Sequence, residues 1–219
     1  MKSVKFLTVV CALVTVATAT NSFAQVKNFE GASVYSSTGY EIWSVDASNL
    51  SASSLVTWDT FKPSAVPLNI GLDYTWALGE KNTLGIGVET NLLKSSTTSG
   101  NQYYNGAYYS SSTAYMDRYY EISLAPGFLV SKDTLLYGKL GYFSVRANSD
   151  TASYTQTGYS YGIGAKTLFH TASVGNNFYG FGELKSRAGN TISQTTSDGY
   201  TFDMKAGSTS FLLGVGMNF

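Results

Sequence analysis

Few residues of this chain could do chemistry, and most of those recur at every second position. Glu89 lies two past Gly87, Glu121 two before Ser123, and Lys139 between Tyr137 and Gly141. Glu183, Lys185 and Arg187 follow one another in steps of two. These residues, with Asp73 and Lys166, share the parity of glycine, serine and asparagine, while the positions between them carry large apolar side chains. A period of two is a β-strand with two unlike faces. When the charged faces of several strands turn toward one another, their charges leave water and must pair. Asp73, Glu89, Glu121, Lys139, Lys166, Glu183 and Arg187 are therefore expected to form an enclosed ionic network. Such a network specifies packing more than it adds net stability. The functional alternative is a narrow water-filled path lined by the same charges.

Other chemistries are weaker. His170 is the only histidine. Paired with Ser173 and a carboxylate it could serve a lipid hydrolase, but its place on a short connection reads as an ordinary turn residue. The glycine runs at 85–89 and 158–167 could be mistaken for phosphate loops. A phosphate loop needs glycine directly before lysine and a helix after it, whereas Ala165 precedes Lys166 and the surroundings alternate as strand. No catalytic residue, cofactor or metal is expected.

The elements that must position these charges are eight alternating segments: 28–45, 65–77, 83–94, 116–130, 134–146, 157–169, 177–188 and 208–219. In the second, Val66, Leu68, Ile70, Leu72, Tyr74 and Trp76 face one way, and Pro67, Asn69, Gly71, Asp73 and Thr75 the other. The last ends Phe211, Leu213, Val215, Met217 and Phe219 at steps of two. An apolar face that reaches the terminal aromatic suits a strand facing lipid, and it is the expected assembly signal. The first segment alternates poorly, so a bulge is expected there and its facing stays open. Pro126 should disturb the fourth. Connections after the second and fourth segments are short, and those after the first, third, fifth and seventh are longer. That alternation, with an even strand number, predicts an all-β fold: an eight-stranded antiparallel up-and-down transmembrane β-barrel with both termini on one side. A β-sandwich would carry a polar outer face instead.

Composition agrees. Charged residues make up 13% of the chain, against about 25% in ordinary soluble domains. Tyr numbers 17 and Gly 22. Residues 1–24 read as a cleaved signal peptide: Lys2 and Lys5, an apolar core, then Ser22, Phe23 and Ala24. Residues 25–219 would be the barrel domain. Cys11, the only cysteine, lies in that leader, so no disulfide or zinc–thiolate site remains. Two of the 14 basic residues leave with the leader and none of the 14 acidic ones, so the formal charge falls to −2. That argues against a nucleic-acid partner.

The longest connection, 95–115, holds Tyr103, Tyr104, Tyr108, Tyr109 and Tyr115 among Ser, Thr, Asn and Gly. Tyrosine among small polar residues suits contact surfaces, so surface adhesion or ligand recognition through an extracellular loop is one reading. A hydrophilic loop among lipopolysaccharide sugars is the other. Trp43, Trp58 and Trp76 are expected at the membrane interfaces, because a narrow lumen has little room for indoles.

NFEGAS at 28–33, APGFLVSKDTLLYGKLGYFS at 125–144, GYSYGIGAK at 158–166, NFYGFGEL at 177–184 and the terminal GVGMNF resemble the small porin-like or opacity-like outer-membrane β-barrel proteins of Gram-negative bacteria. The resemblance implies insertion by the outer-membrane barrel assembly machinery and contact with outer-membrane lipids and lipopolysaccharide. The expected role is structural or surface interaction with an unidentified ligand. A narrow channel for small solutes is the alternative, and a lipid-modifying enzyme a more distant one.

Overall fold

The computed structural model describes residues 26–49, 56–58, 62–94, 98–104, 107–149, 153–169, 178–195 and 201–219. The predicted leader, Cys11, His170 and Ser173 lie outside them, as do the side chains of Trp58, Tyr104 and Tyr109. After a 3-10 turn at Val26–Phe29 come β1 (Gly31–Asn49), β2 (Val56–Trp58), β3 (Ser64–Ala65), β4 (Leu68–Ala77) and β5 (Asn82–Asn91). Then follow β6 (Thr98–Tyr104), β7 (Ala107–Ser131), β8 (Thr134–Ser149), β9 (Ser153–Leu168), β10 (Phe178–Gly189), β11 (Ile192–Thr195) and β12 (Thr201–Asn218).

Eight of these close on themselves. β1, β4, β5, β7, β8, β9, β10 and β12 pair in chain order, and β12 returns to β1. Every pairing is antiparallel. Paired residues followed once around the ring run Val34, Leu72, Val88, Ile122, Tyr142, Tyr159, Ala188, Gly207 and Ser44. The path thus returns to β1 ten residues from its start, from 34 to 44. This stagger is the strand tilt that barrel closure demands.

The outer wall is hydrocarbon. Val34, Leu72, Val88, Ile122, Leu140, Ile163, Leu184 and Leu213 are exposed, one from each strand of the ring. Phe211, Val215 and Phe219 are exposed on the same face as Leu213, and Val215 is 60% exposed. An apolar belt on every side of a closed sheet has no counterpart in water, and backbone ladders without a free edge are what a bilayer requires. Tyr40, Tyr120, Tyr142 and Tyr159 ring one end of the belt, and Tyr74, Trp76, Phe169 and Phe178 the other. Such girdles mark the two interfaces.

Several expectations need correction. β1 runs in one register against β12 from Ser33 to Asn49, with no bulge. Its alternation was obscured because apolar Tyr35, Trp43 and Val45 occupy the inner face while Ser36 and Ser44 lie on the outer one. Trp43 is 2% exposed inside the barrel, not at an interface; only Trp76 occupies an anchor position among the described indoles. Pro126 sits opposite Leu84 and does disturb the strand as expected: the ladder with β8 skips Ala125 and Pro126 and resumes at Gly127 in unchanged register. Shifts of register between β7 and β8 lie elsewhere, at Asp117–Tyr120 and Leu129–Ser131. Finally, the supposed loop at 95–115 is largely sheet. β6 pairs with β7, and β2 pairs with β6, extending the ring beyond its rim. β8 and β9 are likewise separated by residues 150–152 only, so that connection is short and the strands are long.

Candidate functional site

The interior is built in three tiers. At the end carrying the 3-10 turn and Phe219, Val26, Phe29, Tyr35, Leu129, Leu135, Leu168 and Tyr179 form an apolar cluster. At the opposite end Trp43, Val45, Met116, Tyr119, Phe143, Val145 and Met204 form another, with Ala147 and Ala206. Between them lies the charge.

Strand register brings like charges together first. Glu89 on β5 stands directly opposite Glu121 on β7, a pairing that is unfavourable by itself. Lys185 resolves it. Its Nζ lies 2.8 Å from Glu89 Oε1, 3.4 Å from Glu121 Oε1 and 3.3 Å from Glu183 Oε1. Lys139 contacts the same three carboxylates at 3.3, 3.8 and 3.4 Å. Arg187 binds Glu41 through NH1 and reaches Glu121 at 3.6 Å. Its guanidinium lies 4.3 Å from the centre of the Tyr119 ring and 5.8 Å from that of Trp43. Both rings present a face that suits a cation.

Hydroxyls complete the carboxylates' remaining lone pairs. Tyr35 Oη donates to Glu89 at 3.1 Å, Tyr137 Oη to Glu183 at 3.0 Å, and Tyr119 Oη to Glu121. Ser208 Oγ donates to Glu41 at 3.0 Å. All seven charged groups of this cluster are buried. Four carboxylates thus meet three cations, with tyrosine and serine hydroxyls making up the difference in hydrogen bonds.

The sequence-predicted residues divide into two groups. Glu89, Glu121, Lys139, Glu183 and Arg187 come together as expected. Asp73 and Lys166 pair with each other at 2.9 Å, nearer the termini. Ser33 Oγ donates to Asp73 at 2.5 Å, and Lys166 lies 4.9 Å from the centre of the Tyr179 ring. Two members of the central cluster were missing from the expected set. Lys185 shares the parity of Glu183 and Arg187, which was the available signal. Glu41 shares the parity of Tyr35, but the facing of that strand was open.

Little room remains. A cavity of about 10 Å³ touches Glu41, Trp43, Tyr119 and Arg187. Another of about 40 Å³ lies among Asp73, Gly85, Gly87, Ser123, Lys139 and Lys166. The larger holds a few water molecules at most. Among the described residues, no group of three or more His, Cys, Asp or Glu side chains could hold a metal.

Outside the ring, the extension carries the predicted tyrosines. Thr57, Tyr103 and Tyr108 lie side by side across β2, β6 and β7. Tyr108 is 63% exposed. Tyr104 stands between Val56 and Ala107, and Tyr109 falls at the register shift.

No protein-family model matches the sequence, nor does any curated protein. Solved structures do match. Outer membrane protein OprG of Pseudomonas aeruginosa is 11% identical, with 87% of this chain and 96% of that one covered and a TM-score of 0.51. Outer membrane protease OmpT of Escherichia coli is 10% identical, with 92% and 99% covered and a TM-score of 0.50. Ail, the attachment invasion locus protein of Yersinia pestis, is 18% identical, with 87% and 99% covered and a TM-score of 0.44. With its lipid-facing belt, closed ring and filled interior, this chain has the fold of the bacterial outer-membrane β-barrel proteins.

Proposed function

We propose that the protein is a sealed, non-catalytic outer-membrane barrel that acts through the sheet it holds outside the membrane. The observation that carries this reading is the filled lumen. Ion pairs cross it from β5, β7, β8 and β10, and an apolar cluster lies on each side. Separate cavities of about 10 and 40 Å³ support a closed interior better than a conducting one. The lumen carboxylates are each held by a cation, an arrangement suited to packing rather than to proton transfer. The extension supports the second half: hydroxyl and amide side chains with tyrosines on a paired sheet make a contact surface. The exposed aromatic alternation of β12 fits recognition by the barrel assembly machinery.

Conductance tests the first half. The purified protein in planar bilayers should give no discrete current steps, and reproducible steps would restore the channel reading. Deleting 100–112 should leave the barrel folded and lower binding of the bacteria to surfaces or host cells; unchanged binding would remove the extension from the function.

A further inference from the structure

The chain turns into the barrel before it joins the sheet. Val26 and Phe29 stand three residues apart on the 3-10 turn, a spacing that puts both side chains on one face. That face is inside. The two are 3% and 4% exposed and cluster with Tyr35, Leu129, Leu135, Leu168 and Tyr179. Lys27 and Glu30 are exposed on the other face. Glu30 N closes the turn by donating to Lys27 O at 3.3 Å. β1 takes up its ladders only afterwards, with β4 from Gly31 and with β12 from Ser33.

Gly31 joins the turn to the sheet. At φ +119° it holds a conformation open to glycine, and a Cβ there would lie 2.6 Å from the Phe219 carbonyl oxygen. The ties beside it cross the seam between the first and last strands. Phe219 N donates to Ala32 O at 2.8 Å, and the Asn218 amide donates to Asn28 O at 3.1 Å. Two apolar side chains and a side-chain hydrogen bond thus hold the turn, on one bendable residue.

Beneath the turn lie rings and then the larger of the two cavities. The Tyr35 and Tyr179 rings are 5.5 and 6.1 Å from that of Phe181. Tyr35 and Phe181 also line the cavity of about 40 Å³, together with the small residues Thr75, Gly85, Gly87 and Ser123. Lys139 borders it from the ion cluster. The outer apolar cluster and the central ion pairs contain no residue of the turn.

We propose that residues 26–30 are a detachable stopper, which swings on Gly31 and opens the cavity beside Lys139 to the periplasm while the barrel stays intact. The inference rests on the reading of the protein as a sealed outer-membrane barrel, and it adds a movable seal at the terminal end. Docking buries two apolar side chains, whereas release breaks no strand pairing, so opening is local and separate from unfolding. Lys27 and Glu30 face water in the docked turn and keep the released one solvated. The centre stays closed with the stopper out, because its ion pairs run between β5, β7, β8 and β10.

The test uses the processed protein in lipid nanodiscs and a small water-soluble methanethiosulfonate. Without the leader the chain has no cysteine. Ser123→Cys then reports on the cavity and Val145→Cys on the outer cluster. If the stopper detaches by itself, S123C reacts faster than V145C in the otherwise wild-type barrel. Phe29→Ala should raise the S123C rate by about tenfold, the lower worth of one buried phenylalanine as an equilibrium, and leave the V145C rate unchanged. Gly31→Val, which denies the hinge its conformation, should act in the same direction with the stopper residues intact. Equal rates at the two reporters would overturn the proposal, since both sites would then open only by unfolding. So would an S123C rate indifferent to both substitutions, or a rise matched by V145C. Rates are read on the compact electrophoretic form, which keeps unfolded material out of the comparison. Conductance of the same preparations separates the two readings. Silent barrels with an unmoved S123C rate remove the stopper alone, whereas current steps from the wild type remove the parent reading.

Discussion

Glu89 and Glu121 face each other across β5 and β7, and Lys185 lies against both. The lysine is therefore worth more than either carboxylate. Removing it leaves four buried carboxylates facing two cations, Lys139 and Arg187, and loss of a compensating buried charge costs about 3–5 kcal/mol. Lys185→Met should cost that much in urea unfolding measured in bilayers or micelles. Glu121→Gln keeps the shape and a partner for Tyr119 Oη, and it relieves the like-charge contact in a cluster where carboxylates outnumber cations. Its cost should be about 1 kcal/mol, the net worth of an ordinary hydrogen bond. Equal costs for the two variants would contradict the charge balance described here. The parity of Glu121 and Lys185 was legible along the chain. That one lysine serves three carboxylates on three strands was not, because β10 meets β5 and β7 only across the closed lumen.

At the scale of the strand, the inward glycines are seats for rings. Tyr35 lies opposite Gly71 and Gly216, Tyr137 opposite Gly164, and Phe143 opposite Gly158. A Cβ at Gly71 or Gly164 would collide with the tyrosine ring that crosses it. Those tyrosines are the ones that donate to Glu89 and Glu183. Gly164→Val should therefore destabilise the barrel by about 1–3 kcal/mol through overpacking. Gly138→Ala on the outer wall, where nothing lies within 4 Å, should be tolerated. The comparison is made by the temperature at which each variant loses its compact electrophoretic form. Arg118 offers the opposite case: at φ +49° its Cβ is strained, so Arg118→Gly should gain about 1 kcal/mol. The glycines were visible as a pattern of small inward residues. Their partners were not, because register between strands is fixed by the sheet and not by either strand alone.

For the whole molecule, the two surfaces are inverted relative to a water-soluble protein. Leu213 on β12 points into the bilayer while Ser210 and Leu212 are buried inside. Leu213→Arg should destabilise by about 2–4 kcal/mol if the residue lies near the midplane, and less toward either girdle. Reversible unfolding in lipid vesicles measures this. A variant as stable as the wild type would mean that this wall does not meet hydrocarbon.

Alternation alone determined that the chain makes two-faced strands, that eight of them close a barrel, and that charge and glycine line its inside. A side-chain period of two is local, and a face matched to lipid can be read one strand at a time. The tertiary structure decided what alternation leaves open. It turned Trp43 and Glu41 inward on a strand whose two faces look alike, and it made sheet of the tyrosine-rich stretch. It also gathered Glu41 of β1 and Lys185 and Arg187 of β10 into one cluster with the carboxylates of β5 and β7. Those outcomes depend on the ten-residue stagger between Val34 and Ser44, which sets who meets whom across the lumen and exists only once the ring has closed.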